Sequence, residues 1–475
     1  MKVTQILTFA VGPAGNALLG LATVPLIAWL FEPEDVGRMS MLNVALLFTV
    51  MLCSLGLDQA YVRDYHSETQ RGQLLKNALQ PGLMILLVLC TGFTLSPGSL
   101  SQLLLGQKSE LLSLIIMIAL ISAFLSRFLS LILRMQGRGL AYSMGQLLPR
   151  VIMLSLTGIG CALFTRHQLI LLVVAWGTGM AAAAVVLLWL TTADWKLALS
   201  SPGCRTRLRE MMTFGLPLIP GGLAFWAASS VDRIFVRVWS GFEELAMFSV
   251  AISFAGIASL LQTVFSTVWT PYIYKIADTP KAVEEIVTRL SRWMTIAVVC
   301  LFSLAGLLSW VVRYLLPADY AGVEHILVAC LGLPLLLTLS EVLSVGIGIG
   351  RKTLYMMVAS GITLAVNITL NFLLVPGSGA GGAAAATCLS FWIFMVIRTE
   401  FSVWVWKRIP RFEAYAFTLL CACAASMSSL TGEKTRVSLI VIWCMLMVGV
   451  LLRHHRFIME ELSFLWKKKH EQGIQ

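Results

Sequence analysis

Apolar runs long enough to cross a bilayer recur from one end of this chain to the other. A hydrocarbon core of about 30 Å takes roughly 20 apolar residues in a helix. Inside lipid every backbone N–H and C=O must be satisfied within the fold, which leaves helices and closed barrels as the only spanning structures. A barrel would read as segments of about ten residues alternating in polarity, and the sequence holds none. The expected fold is therefore an all-α polytopic membrane protein with about 14 transmembrane helices. The segments that fit are 4–30, 39–62, 77–96, 111–133, 143–164, 168–192, 212–238, 245–270, 293–316, 325–348, 355–375, 380–402, 414–431 and 437–452, the last two being the shortest.

Composition agrees and excludes other classes. Of 475 residues 58% are hydrophobic and 12% charged, against about half apolar and a quarter charged in a soluble domain. Soluble enzymes, disordered chains and fibrous proteins are thereby set aside. The formal charge is +11, but the basic residues are scattered instead of clustered on one element, which argues against a nucleic-acid partner. Nine of the ten cysteines lie in apolar segments, Cys204 alone in a polar loop, and no CxxC pair occurs; they read as small packing residues. The histidines fall in loops or the tail with no partner at ligand spacing, so no metal and no cofactor is expected. Walker, GxSxG, HExxH and dinucleotide-binding patterns are absent. The first apolar stretch runs too long for a cleavable signal.

Lys and Arg in short loops set orientation. With the N-terminus in the cytoplasm, the inner segments carry 24 and the outer loops 6: Arg38, Lys108, Arg166, Arg313, Lys434 and Arg436. Fourteen spans put both termini in the cytoplasm. The longest basic loop, Asp194 to Glu210, contains Ser200-Ser201-Pro202-Gly203 and reads as a joint. The expected organisation is an N-lobe (1–193, spans 1–6), a cytoplasmic linker (194–210), a C-lobe (211–404, spans 7–12), two additional spans (405–452) and a basic cytoplasmic tail (453–475). Six spans is even, so the two six-helix lobes form a parallel pseudo-repeat about an axis along the membrane normal. Both lobes open on a proline-broken helix, with Pro13 and Pro25 in one and Pro217 and Pro220 in the other.

Five cations lie inside spans: Arg127, Arg150, Arg233, Arg237 and Arg398. Charges there cost several kcal/mol unless they face a partner or a cavity. Arg127 is sixteen residues past Leu111, about 24 Å into the core at 1.5 Å per residue. Ala123, Arg127, Ser130 and Arg134 share one helical face. Arg150 shares its face with Tyr142, Gln146 and Thr157. Either these arginines snorkel to the inner interface or brace a loop, or they line a water-filled cavity with forks suited to phosphate. Asp58 and Arg63 close the second span, and Asp232-Arg233 lie near the outer end of the seventh. In both places a structural ion pair competes with a substrate contact. Glu341 sits deep in its span between Ser340 and Ser344 with no adjacent cation; it suits ion coupling or a cation from another helix. Arg398 and Glu400 approach the inner interface and look structural. Thr363, Asn367 and Asn371 form an i, i+4, i+8 stripe of the kind that bonds helix to helix, a sugar contact being the other option.

A cationic, polar interior between two lobes suits an anionic hydrated substrate. Nucleophiles, paired catalytic carboxylates and lids are absent, so transport is favoured over catalysis and the chain is not expected to be an enzyme. A membrane polysaccharide polymerase would need a larger outer loop to hold its acceptor. Several stretches resemble the bacterial polysaccharide flippase family (Wzx-type), in the superfamily that includes the multidrug and toxin extrusion transporters. These are Pro33-Glu34-Asp35-Val36-Gly37, Leu55 to Asp64, Phe214 to Pro220 with Ser230-Val231-Asp232-Arg233, Phe265 to Pro271, and Asn371 to Pro376 followed by the Gly/Ala-rich run to Thr387. Gly377-Ser378-Gly379 lacks the aromatic often found in that connection. The resemblance implies a flippase moving an undecaprenyl-pyrophosphate-linked oligosaccharide, an O-antigen or other surface polysaccharide unit, between leaflets of the bacterial inner membrane. It implies membrane lipids, a polymerase and a chain-length regulator as partners. On this reading Arg127, Arg150, Arg63 and Arg233 attract the pyrophosphate, Asp58, Asp232 and Glu341 serve coupling or ion pairing, and Gln146, Asn367 and Asn371 line the polar path. A peptidoglycan lipid precursor flippase and a multidrug or cation antiporter remain alternatives.

Overall fold

The computed structural model describes residues 3–163, 169–277, 279–461 and 463. Lys2, Arg166, His167, Lys467, Lys468, Lys469 and His470, which entered the charge and histidine arguments, lie outside these residues. The described residues contain helices and turns and no β-strand. In chain order the helices are α1 (Val3–Leu30), α2 (Pro33–Ser54), α3 (Leu57–Asp64), α4 (Arg71–Thr94), α5 (Ser99–Leu105), α6 (Glu110–Met135), α7 (Gly139–Leu163), α8 (Leu169–Leu190), α9 (Thr192–Ser200), α10 (Arg205–Gly215) and α11 (Ile219–Lys275). They continue with α12 (Pro280–Leu308), α13 (Val323–Cys330), α14 (Gly332–Leu343), α15 (Val345–Ile349), α16 (Leu354–Val405), α17 (Phe412–Thr431) and α18 (Arg436–Arg453). Among the described residues ten helical stretches are long and apolar enough to cross a membrane.

Two breaks fall inside the spans expected above, and two glycines break long helices where connections between spans were expected. The second span breaks at Leu55-Gly56, both left-handed (φ 51° and 68°), so that α3 starts afresh at Leu57. Sequence hydropathy continues unbroken through Leu55 and Leu57, which is why it hid the break. The tenth is cut at Leu331 and Ser344 into α13, α14 and α15; Pro334 has no N–H to give the Cys330 carbonyl. Helix α11, at 57 residues, would run about 86 Å if straight, nearly three times the core of a bilayer. Gly241, at φ 89° and ψ −173°, interrupts it. Gly379 interrupts α16 in the same way, at φ 50° and ψ −128°.

The chain divides into two compact units, Met1–Leu260 and Leu261–Gln475. In the first, α7 packs between α1 and α8, α8 packs on α6, and α2 lies against α4 and α6. Small residues make these approaches possible, since packing has to replace the hydrophobic drive that lipid removes. A Cβ on Gly179 would collide with the backbone of Pro149, and one on Gly82 with the carbonyl of Cys53. The aromatic pair Phe124–Phe128, with Leu57, Tyr61 and Leu74, fills the centre of this unit. In the second unit α16 packs on α14 and α17. Its run Ala380–Ala386 is fully buried or nearly so, and Gly381 lies against the backbone of Ser429.

Within the first unit the expected linker is stitched to the start of α4. Lys76 Nζ donates to the Ser201 carbonyl at 2.7 Å, Gln73 to the Pro202 carbonyl at 3.2 Å, and Asn77 Nδ2 to the Cys204 carbonyl at 3.1 Å.

Candidate functional site

Arg127 stands on the open face of α6. Phe124, Phe128, Leu129, Leu131 and Ile132 turn into the bundle, while Ala123 and Ser130 are half-buried and Arg127 and Arg134 exposed. The expected stripe therefore exists and is the face that the first unit leaves uncovered. Arg127 is eight residues from the end of α6 at Met135, so about 12 Å in from that end. Its Nη2 donates to Asp58 Oδ2 at 2.7 Å. The Arg127 side chain is 45% exposed and that of Asp58 9%. No other hydrogen bond leaves this guanidinium among the described residues.

Asp58 is placed by the break before it. Gly56 meets Gly215 backbone to backbone; a Cβ on Gly56 would lie 2.7 Å from the Gly215 carbonyl carbon, and one on Gly215 2.9 Å from the Gly56 oxygen. This contact fixes the start of α3, where an acid in the first turn is favoured by the free N–H groups. Gln59 Nε2 adds a longer bond to the same Asp58 oxygen, at 3.3 Å.

The remaining cations of the first unit are held differently. Arg150 is half-buried and donates Nη1 to the backbone carbonyl of Asn16 on α1. Gly20 admits the guanidinium, because a Cβ there would strike it. Beside it Gly12 N–H donates to Ser143 Oγ at 3.0 Å, and Gln146 faces the same glycine. So the Gln146–Arg150 face of α7 braces α1, while Arg127 pairs with α3. Arg63 lies over the Phe214 ring at 4.0 Å and bonds Asp64 at 2.6 Å. That bond holds the Asp64 carboxyl below the usual carboxylate range. Asp232 is buried and Arg233 half-buried on α11. Arg237 and Arg38 each approach the Phe242 ring at 5.2 Å, and Arg38 also bonds Asp35 in the first turn of α2 at 2.7 Å.

The second unit carries an acid and an arginine around one cavity of about 230 Å³, with Ser266, Trp269, Tyr274 and Ser344 among the walls. Gln262 Nε2 donates to Glu341 Oε1 at 2.7 Å, and Trp269 Nε1 to the Glu341 backbone carbonyl at 3.2 Å. Glu341 Oε2 is buried without a hydrogen-bond partner, and so is Arg398 Nε. Arg398 is 7% exposed and stacks on Phe394 at 5.0 Å. From the sequence Arg398 approaches the inner interface and looks structural; the fold buries it at the same cavity as Glu341. The available signal was an arginine inside an apolar span, the same signal that singled out Arg127. Glu400 does have a structural role, taking Arg411 Nε at 2.6 Å and the Tyr415 hydroxyl at 3.0 Å. Asn367 and Asn371 are fully buried, and Asn371 Nδ2 reaches the Asn367 carbonyl at 2.9 Å.

One cluster was not legible from spacing. Glu324, His325 and Glu433 bring their ligand atoms together, although Glu433 is more than a hundred positions away. Arg313 already occupies it, donating to Glu324 at 2.6 Å and Glu433 at 2.8 Å. The arrangement is an ion-pair knot in which one arginine bridges both carboxylates.

The profile of the polysaccharide biosynthesis protein family matches residues 4–277, more than half of the chain. The chain belongs to the polysaccharide biosynthesis protein family. A search of curated protein sequences gives no match. Among solved structures, this family member is similar to a lipid II flippase MurJ in an inward closed conformation. The TM-score is 0.67 at 17% identity, over 95% of this chain and 99% of that one. It is also similar to an inward-facing multidrug resistance MATE family transporter of the MOP superfamily, with a TM-score of 0.55 at 17% identity over 82% and 93% of the two chains. An outward-facing MATE transporter gives 0.52 at 15% identity over 84% and 94%. At these identities the likeness is one of fold: a multi-pass membrane protein built as flippases and extrusion transporters are.

Proposed function

We propose that this protein is a flippase for a lipid-linked oligosaccharide. It would carry an undecaprenyl-pyrophosphate-linked repeat unit, an O-antigen or other surface polysaccharide, from the cytoplasmic to the periplasmic leaflet of the bacterial inner membrane. Fourteen spans are proposed, two six-helix lobes in parallel repeat followed by two further helices, with both termini inside and lobes that rock to alternate access. The observation that carries the reading is Arg127, an intramembrane guanidinium half-exposed on an open helix face and bonded on one side only. A planar fork with spare donors matches phosphate oxygens. Arg150, Arg63 and Arg233 extend the positive lining; Gln146, Asn367 and Asn371 are assigned to the sugar path. The prenyl chain stays in lipid. A negative-inside potential favours outward movement of the anion by about 2.3 kcal/mol per charge per 100 mV.

Coupling is assigned to Glu341, with Asp232 as a second candidate. Arg398 in the same cavity cancels the charge that would retain a metal cation beside one carboxylate, so the reading favours a proton over sodium. A polymerase for surface polysaccharide and its chain-length regulator would act on the delivered unit.

The test is the leaflet in which repeat units accumulate. With Arg127 and Arg150 both changed to Ala, units should collect on the cytoplasmic face and surface polysaccharide should disappear. Normal surface polysaccharide in that double variant would sink the proposal, and accumulation on the periplasmic face would point to a polymerase instead. A peptidoglycan lipid precursor is the second reading. The fold likeness to a lipid II flippase favours it, and reconstituted transport of each lipid separates the two. A cationic drug is disfavoured by the same arginines.

A further inference from the structure

Asp58 is the carboxylate nearest the proposed anion site, and it competes with the anion for the same guanidinium. We propose that Asp58 is a built-in counter-ion that weakens pyrophosphate binding at Arg127 so that the lipid-linked substrate can be released. The inference rests on the flippase reading and adds a residue that sets affinity and turnover.

The two partners are unequally free. Asp58 is 7% exposed and sits two residues after Gly56, whose backbone contact with Gly215 fixes the start of α3. Arg127 is held by a single bond from Nη2 and its side chain is 45% exposed. An arginine carries five N–H donors in a rigid fork. The fork can therefore keep Nη2 on Asp58 and offer its remaining edge to a phosphate. Two anions then share one cation at close quarters, and such like-charge juxtaposition is unfavourable. Full transfer of Arg127 to the phosphate would instead strand a buried carboxylate. Either way the carboxylate subtracts from the affinity for the anion, and an anion held less tightly leaves faster. Without Asp58 the same arginine would bind pyrophosphate firmly and turn over slowly.

The experiment uses the full-length protein in detergent with farnesyl pyrophosphate as probe, farnesol as the uncharged control, and reconstituted vesicles for flipping of the same probe. Asp58→Asn should bind the pyrophosphate about ten- to a hundredfold tighter than the unchanged protein, with farnesol unaffected. Its maximal flipping rate should fall by a similar factor. Asp58→Ser keeps an acceptor for Arg127 without the charge and should behave alike; it carries the test if the amide variant does not fold. Asp58→Glu should stay near the original affinity. Unchanged or weaker binding in both neutral variants would overturn the proposal, because a purely structural Asp58 would misplace Arg127 and lose affinity. Arg127→Ala separates this from the broader reading. If it loses the probe while the neutral Asp58 variants fail to gain, the counter-ion idea falls and the anion site stands. If Arg127→Ala binds normally, the anion site itself is wrong.

Discussion

Each unit of the molecule buries an acid with an arginine, and the two pairs are built in opposite ways. Asp58 and Arg127 in the first unit are closed at 2.7 Å, with the acid fixed and the arginine half-exposed. Glu341 and Arg398 in the second flank a cavity, each with an orphaned polar atom, and it is the arginine that is buried, at 7% exposure. A closed pair with spare donors can pass its cation to a ligand. An open pair around a cavity is a place where water enters and a proton can come and go. On the proposed reading the same two residue types serve substrate in one unit and coupling in the other.

Breaking the closed pair from its arginine side should give the largest effect. Arg127→Ala removes about two charge-assisted bonds to the anion, roughly 3 kcal/mol or a hundredfold in substrate affinity. Lys in its place should keep part of the activity, as a point charge without the fork. Flipping in vesicles and surface polysaccharide in cells read this directly. Arg150→Ala should cost less in binding and more in stability, since its guanidinium braces the Asn16 carbonyl. If Arg150→Ala matched Arg127→Ala in binding while leaving stability untouched, the distinction between the two arginines would be lost.

The open pair should respond to pairwise replacement. Glu341→Gln leaves Arg398 buried and uncompensated, and Arg398→Met does the same to Glu341; each should destabilise by about 3 kcal/mol. The double variant should recover most of that, because apolar or neutral groups replace a buried pair at little cost. A thermal-unfolding cycle in detergent measures it. Glu341→Gln should also abolish acceleration of flipping by an imposed proton gradient, with sodium gradients making no difference in either protein. Recovery of stability without any change in gradient dependence would make this pair structural and leave the comparison one-sided.

The sequence made much of this legible, and its gaps have physical causes. Hydropathy located the long apolar helices, α17 and α18 included, because burial in lipid imposes one demand on every residue of a run. It could not see Leu55-Gly56 as a break, since a kink changes dihedrals without changing polarity. Arg127, Arg150 and Glu341 stood out because an ionisable residue inside a span needs a reason. Their partners did not, because Asp58 is 69 positions from Arg127, Arg150 bonds a backbone carbonyl, and helix packing decides which faces meet. That Arg398 shares a cavity with Glu341 was not legible either, because its nearness to Glu400 says nothing of which helix it faces, and two residues on an apolar helix can point to different environments.

Rigidity of the acid is the next difference to disturb. Gly56→Ala forces a side chain into φ 68° and into the backbone of Gly215. It should cost about 1–3 kcal/mol and, by shifting α3, loosen Asp58 from Arg127. Under the counter-ion scheme this variant binds farnesyl pyrophosphate somewhat more tightly despite its lower stability. A fall in both would mean that α3 supports Arg127 and does not oppose the anion.

A third pair calibrates the other two from the low end. Arg63 and Asp64 bond at 2.6 Å at the end of α3, with the Arg63 side chain 42% exposed. The hydrogen bond from Arg63 lowers the Asp64 pKa. A carboxyl whose folded pKa is depressed contributes stability that is complete above the unfolded value of about 3.9 and is lost as pH falls through the lower, folded value. Asp64→Asn should therefore cost about 1 kcal/mol at neutral pH, since Arg63 is exposed and screened while Arg207 adds a longer contact at 3.4 Å. That difference from the unchanged protein should vanish once the pH lies below the folded value. High salt should weaken it as well, because Arg63 is open to solvent. Asp58 is as buried as Asp64 and its arginine as exposed as Arg63, so Asp58→Asn should cost stability on the same small scale; a much larger loss there would make Asp58 a structural anchor, and the case for a built-in counter-ion would go with it.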